Sequence, residues 1–222
     1  MQTKEIKFDI FNNNFIKNNY LFIFFLLTIS STFLCLFFVG NHSLIAHDEL
    51  LYTNRANLII ESRNWYTPFP EPHHKFVGSY WLTALSLMFF GQNEFAARLP
   101  SYILSLSTLY IFYCLNKDLI NKKIAKLSVL ILSTSFLWFK LSHYCSPDIL
   151  FVFVNILGVY YLSKTNSSLN IQANYKLIFF SASLFSLGFF VRSYMELLPL
   201  ICFAPFIIHK LNFSNKKYFV FF

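Results

Sequence analysis

Charged residues are scarce in this chain: Asp, Glu, Lys and Arg make up 13% of its 222 residues, where a soluble domain carries about 25%. A water-soluble protein of this size has no interior able to hide 30 Phe within a 56% hydrophobic composition, so the solvent for most of the surface is lipid. Cysteine is scarce too. Cys35, Cys114, Cys145 and Cys202 are scattered and form no Cys-x-x-Cys pair, which argues against a disulfide framework or a zinc site and leaves small apolar fillers. Acids are outnumbered, giving a formal charge of +8. The cations sit in short clusters between apolar runs, not on one polar face. That pattern is the one of cytoplasm-facing loops and argues against a nucleic-acid partner.

Residues 1–19 are polar and rich in Asn and Lys and read as a cytoplasmic tail, with Lys4, Lys7 and Lys17 ahead of the first apolar run. Tyr20 to Gly40 is uncharged over 21 residues, about 31 Å as a helix, enough to cross a hydrocarbon core. It is too long for a signal-peptide hydrophobic region, and no clear small-x-small cleavage site follows it. Residues 41–98 then form the one long polar interval. Five further apolar runs, Leu99–Leu115, Ile124–Phe139, Ile149–Leu162, Leu177–Val191 and Leu197–Ile208, give five more transmembrane helices within residues 99–217. Residues 218–222 open another apolar run, expected to be the start of a truncated helix, so the sequence reads as the front part of a longer architecture.

Charge placement sets the expected topology. Val77–Gly91 is apolar but short, about 22 Å as a helix. If it does not cross, the clusters at Lys117, Lys122, Lys123 and Lys126, at Lys164 and Lys176, and at Lys210, Lys216 and Lys217 all share the cytoplasm with the N-terminal tail. It is therefore read as a juxtamembrane helix. The chain then makes six crossings of an inner (plasma) membrane, N-terminus cytoplasmic, and exposes His47–Arg98, His143–Asp148 and Arg192–Glu196 on the outer side. Lys140 is the exception, left at the outer edge.

Three ionisable patches thus converge on one face, and ionisable groups at a membrane edge usually serve function. Asp48, Tyr52 and Arg55 share one helical face, with Asp48 also suited to cap or charge the first turn. Pro68, Pro70 and Pro72 break any helix and give an extended approach to His73, His74 and Lys75. Adjacent histidines do not share a helical face, which disfavours His73 and His74 as a metal pair. Arg98 reads as an interfacial anchor of the next span, Tyr80 and Trp81 as aromatic-belt residues, and Glu196, one turn past Arg192, as its ion-pair partner. Asp148 opens an apolar run, where a carboxylate drawn to the bilayer centre costs about 2.5–3.5 kcal/mol.

Several strings resemble the GT-C superfamily of polyprenyl-phosphate-sugar glycosyltransferases, most closely the branch of the aminoarabinose transferase of lipid A and the protein O-mannosyltransferases. They are Asp48-Glu49-Leu50-Leu51-Tyr52, Lys75 through Tyr80-Trp81, Phe90-Gly91-Gln92-Asn93-Glu94-Phe95-Ala96-Ala97-Arg98-Leu99-Pro100-Ser101, and Ser146-Pro147-Asp148. The resemblance runs from about residue 20 to residue 200. It departs at His74, where the family has Glu, and at Phe76-Val77, which replace two prolines. It departs again at Val191-Arg192-Ser193-Tyr194, which stands for Thr-Lys-Gly-Pro and keeps a cation while losing the turn residues.

The resemblance implies an all-α polytopic membrane protein, the N-terminal part of a GT-C-type helical bundle with juxtamembrane helices in the first outer loop. It also implies transfer of a sugar from a polyprenyl-phosphate carrier to a lipid, glycan or protein acceptor on the outer face. Such a reaction needs a base for the acceptor and fixed cations for the departing phosphate. By resemblance Asp48 is the base, with Glu49 positioning a cation or the acceptor. Lys75 and Arg192 receive the phosphate, with His73 or His74 as hydrogen-bond donors, and Tyr52 and Arg55 line the substrate site. Asp148 is a second acid that orients Lys75 or holds a divalent metal ion jointly with Asp48; no other cofactor is implied. A transporter fragment would instead place its ionisable groups at mid-bilayer in broken helices. A truncated, non-catalytic membrane protein is the remaining alternative.

Overall fold

The computed structural model describes residues 43–44, 48–69, 76–165 and 171–212. The tail at 1–19, the first span at 20–40, His73, His74, Lys75 and the apolar start at 218–222 lie outside the described residues. Those described form an all-α architecture. Its helices are α1 (Asp48–Ser62), α2 (Gly78–Phe90), α3 (Glu94–Leu119), α4 (Lys122–Ser133), α5 (Phe136–Ser142), α6 (Asp148–Ser163), α7 (Ile171–Arg192) and α8 (Leu197–Asn212), with a 3-10 turn at Ser193–Glu196 between the last two.

Local chemistry sets the boundaries. Asn93 and Asn121 cap α3 and α4, their side chains accepting from the backbone N–H groups of Ala96 at 2.7 Å and Ile124 at 2.9 Å. Pro100 lies inside α3 and has no N–H for the carbonyl of Ala96, four residues earlier. The hydroxyl of Ser86 on α2 donates to that carbonyl at 2.6 Å, so the acceptor released by proline ties the two helices together.

Close approaches hold the rest. Ser181 on α7 donates to the carbonyl of Gly158 on α6 at 2.9 Å, and a Cβ at Gly158 would stand 3.2 Å from the Phe185 ring. Gly78 at the start of α2 abuts the far end of α7, where a Cβ would lie 2.9 Å from the carbonyl oxygen of Phe190. Lys164 bonds Asp118 at 2.6 Å, and Lys210 donates to the carbonyls of Ser163 and Thr165. The far ends of α3, α6 and α8 therefore meet at one end of the bundle.

Two stretches among the described residues are long and apolar enough to cross a membrane, Glu94–Leu119 and Gln172–Lys210, with α4 and α5 a third if their bent pair forms one span. The second of these, 39 residues long, is not one rod. Arg192 pairs with Asp148 at the start of α6, whereas Lys210 reaches the end of the same helix. The chain therefore reverses at the 3-10 turn, and Leu162, Ile178 and Ile207 pack in one cluster. The run expected over Ile124–Phe139 is broken: α4 and α5 meet at 69°. Thr134 and Ser135 turn their hydroxyls onto the carbonyls of Leu130 and Leu132, competing with the helix ladder. Large apolar side chains such as Phe89, 81% exposed, and Phe136, 80% exposed, face outward, as expected of a surface wetted by lipid.

Candidate active site

The polar end of the bundle is organised by Glu49. Its side chain is fully buried, 0% exposed, and accepts from Arg98 Nε and Nη2 at 2.8 Å each. Its Oε1 also accepts the backbone N–H of Cys145 at 2.9 Å. Arg98 further donates to the carbonyl of Ser43 at 3.2 Å. A planar guanidinium matched to both carboxylate oxygens is the geometry in which a buried charge pair compensates its desolvation. Arg98, expected at the interface, is 5% exposed: it is an interior counter-ion and not a surface anchor. One carboxylate thus pins α1, α3 and the loop ahead of α6.

That loop is dry. Cys145 is 1% exposed, and burial pushes its thiol up to about 11. Ser101 on α3 donates to the carbonyl of Ser146 at 3.2 Å. Ser146 in turn donates through its hydroxyl to Asp148 Oδ2 at 2.6 Å and accepts the N–H of Asp148 at 3.1 Å. The other oxygen of Asp148 takes the guanidinium of Arg192. Asp148 and Arg192, 44 positions apart, line a cavity of about 250 Å³ together with Tyr52, Lys140, Leu141, Tyr144 and Ser146.

The expected site residues divide. Tyr52, Asp148 and Arg192 meet at the cavity. Asp48 opens α1 one turn before Tyr52; its side chain, like His73, His74 and Lys75, lies outside the described residues. Arg55 does not line the cavity: its guanidinium lies over the Phe69 ring at 4.7 Å. Tyr80 is wholly buried, its ring 5.6 Å from Tyr52 and 5.5 Å from Phe69. It is a packing residue and not part of an interfacial belt. Glu196 does not pair with Arg192. Its carboxylate is buried against Gly188 and accepts from Asn155 Nδ2 at 3.0 Å. Lys140, Tyr144 and Ser146 are lining residues that sequence reasoning did not select. Their proximity to Asp148 along the chain was a signal for Ser146 and Tyr144, and the topological misfit of Lys140 was a signal for it.

Asp148 thus holds Arg192 on one oxygen and the Ser146 hydroxyl on the other. Among the described residues no group of three or more His, Cys, Asp or Glu is placed to hold a metal.

Ser193 adopts φ 55°, in the left-handed region that favours glycine. It stands where the resembling motif carries Gly.

Residues 74–222 match the protein family described as dolichyl-phosphate-mannose-protein mannosyltransferase. The chain belongs to that family. Among its curated relatives are undecaprenyl phosphate-alpha-4-amino-4-deoxy-L-arabinose arabinosyl transferases. That of Shewanella sediminis is 27% identical over 182 residues, 77% of this chain and 32% of the relative. That of Wigglesworthia glossinidia brevipalpis is 28% identical over 93 residues, 40% of this chain and 16% of the relative. The chain thus spans less than a third of the length of these relatives. Among solved structures, ArnT from Cupriavidus metallidurans bound to undecaprenyl phosphate superposes with a TM-score of 0.71 at 13% identity, covering 89% of this chain and 39% of that one. The fold is therefore that of a GT-C-type membrane protein, with the described helices as part of its bundle.

Proposed function

We propose that this chain carries the membrane-embedded part of a glycosyltransferase that moves a sugar from a polyprenyl-phosphate carrier to a lipid, glycan or protein acceptor on the outer face of the inner membrane. The observation that carries the proposal is the meeting of Asp148 and Arg192 at a cavity also lined by Tyr52, one turn from Asp48. Family membership and a shared fold with a protein solved with undecaprenyl phosphate support the donor class.

In this reading Asp48 takes the proton from the acceptor hydroxyl as its oxygen forms a bond to the anomeric carbon. The bond between that carbon and the phosphate oxygen breaks, and the electron pair leaves with the carrier phosphate. Arg192, with Lys75 and a histidine from His73 or His74, stabilises the charge growing there. Asp148 holds Arg192 in orientation, and Glu49 positions the start of α1 through Arg98 and Cys145. No step of the proposal runs through a metal.

The test is binding of a polyprenyl-phosphate sugar to the purified protein in lipid nanodiscs. Arg192→Ala should weaken it about tenfold or more, the scale of one charge-assisted hydrogen bond. Equal donor affinity in the variant and the parent would remove Arg192 from the phosphate site.

A further inference from the structure

On the topology expected from charge placement, Lys140 alone among the lysines that flank the apolar runs from Leu99 onward falls at the outer edge, against the positive-inside pattern. The structure places that same residue on the cavity, beside Asp148 and Arg192. It reaches the cavity through the 69° break between α4 and α5. The short α5 that follows is anchored by buried Trp138 and Ser142.

The charges around the cavity are unevenly matched. Arg192 and Asp148 neutralise one another, while Lys140 takes part in none of the ion pairs found among the described residues. Lys140 is thus the lining cation that stands outside that pair, flanked by the hydroxyl-bearing side chains of Tyr52, Tyr144 and Ser146. A lysine ammonium with neutral O–H neighbours at a membrane edge suits an oxyanion. On the same short helix Phe136, Leu137 and Phe139 are exposed at 80%, 65% and 50%, giving an apolar face beside the charge. Charge and apolar face together fit a phosphate that carries a long hydrocarbon chain.

We propose that Lys140 is a phosphate-binding residue of this cavity, taking the carrier's phosphate oxygens while the hydrocarbon chain lies along the outward face of α5. This rests on the donor reading above, and it adds a cation that is free to engage the phosphate while Arg192 stays with Asp148. A phosphate at this depth has two sources, a polyprenyl phosphate and an ordinary bilayer phospholipid, and the proposal commits to the first.

The experiment measures binding of polyprenyl phosphate to the purified protein in zwitterionic nanodiscs, comparing the parent, Lys140→Gln, Lys140→Arg and Lys126→Gln, with phosphatidylglycerol binding as a parallel arm. Lys140→Gln should weaken polyprenyl phosphate about tenfold, Lys140→Arg should restore most of the loss, and Lys126→Gln, the same charge loss at the opposite end of the bundle, should leave affinity unchanged. Unchanged affinity in Lys140→Gln would overturn the inference while leaving the donor reading intact. An equal loss for phosphatidylglycerol would assign Lys140 to the headgroup layer and overturn it too. A parent that binds no polyprenyl phosphate would remove the donor reading itself.

Discussion

Glu49 and Arg98, 49 positions apart, form a two-bonded ion pair in the interior of the bundle, and the same carboxylate holds the backbone N–H of Cys145. Glu49 is the neighbour of Asp48 and Cys145 stands three residues before Asp148, so one buried group sets the spacing of both acids. Breaking the pair from one side leaves a buried charge without its partner and costs about 3–5 kcal/mol. Arg98→Ala should lower unfolding stability in detergent by that amount. Joint replacement, Glu49→Leu with Arg98→Met, should be more stable than either single change, since no lone charge remains. Single variants within about 0.5 kcal/mol of the parent would mean the pair is not structural.

Ser193 holds a positive φ of 55°. Relative to glycine, a side chain in the left-handed region costs about 1 kcal/mol. Ser193→Gly should therefore stabilise the hairpin by about that much, read as a higher midpoint of thermal unfolding. A lowered midpoint would show that the serine side chain contributes something at the turn that outweighs its backbone cost.

Gly188 faces the buried carboxylate of Glu196. A Cβ there would stand 2.2 Å from Glu196 Oε2, far inside contact distance. Gly188→Ala must displace that carboxylate from Asn155, and the expected loss is about 1–3 kcal/mol. Combining it with Glu196→Ala should recover part of the loss, because the clash then disappears. A fully additive double variant would contradict the packing described.

Cys145 gives a pH dependence. Burial raises its thiol from 9.0 to about 11, so the fold favours the protonated form. Its contribution to stability is fully present below pH 9.0 and is lost as pH rises toward about 11. Cys145→Ala should remove the part of the alkaline destabilisation that falls in that window. At neutral pH the Cys145 thiol should resist a water-soluble alkylating reagent in the folded protein and react once the protein is unfolded in denaturant. Equal alkylation rates in the folded and unfolded protein would contradict the burial of Cys145.

Much of this architecture is legible in the sequence because lipid imposes long apolar runs, and breaks in those runs mark the helix ends. Asp148 and Arg192 were legible through their motifs, since each sits at the end of a run. Tyr52 was legible through helical spacing from Asp48. The Glu49–Arg98 pair was not, because nothing local in either string identifies a partner 49 residues away. Arg98 at the start of a span looks the same in sequence whether it anchors to headgroups or turns inward. The bend at Thr134 and Ser135 was also hidden, as hydroxyl side chains occur within straight membrane helices. With it went the meaning of Lys140, which reads as a topological misfit until the bend places it on the cavity.

Sugar transfer by the purified protein from a radiolabelled polyprenyl-phosphate sugar, comparing the parent with Asp48→Asn, tests the role of Asp48 most directly. The variant should insert into the membrane and bind donor as the parent does while transfer falls by about a hundredfold or more, the scale of losing a general base. Transfer at the parental rate by Asp48→Asn would contradict the placement of the reaction at this cavity.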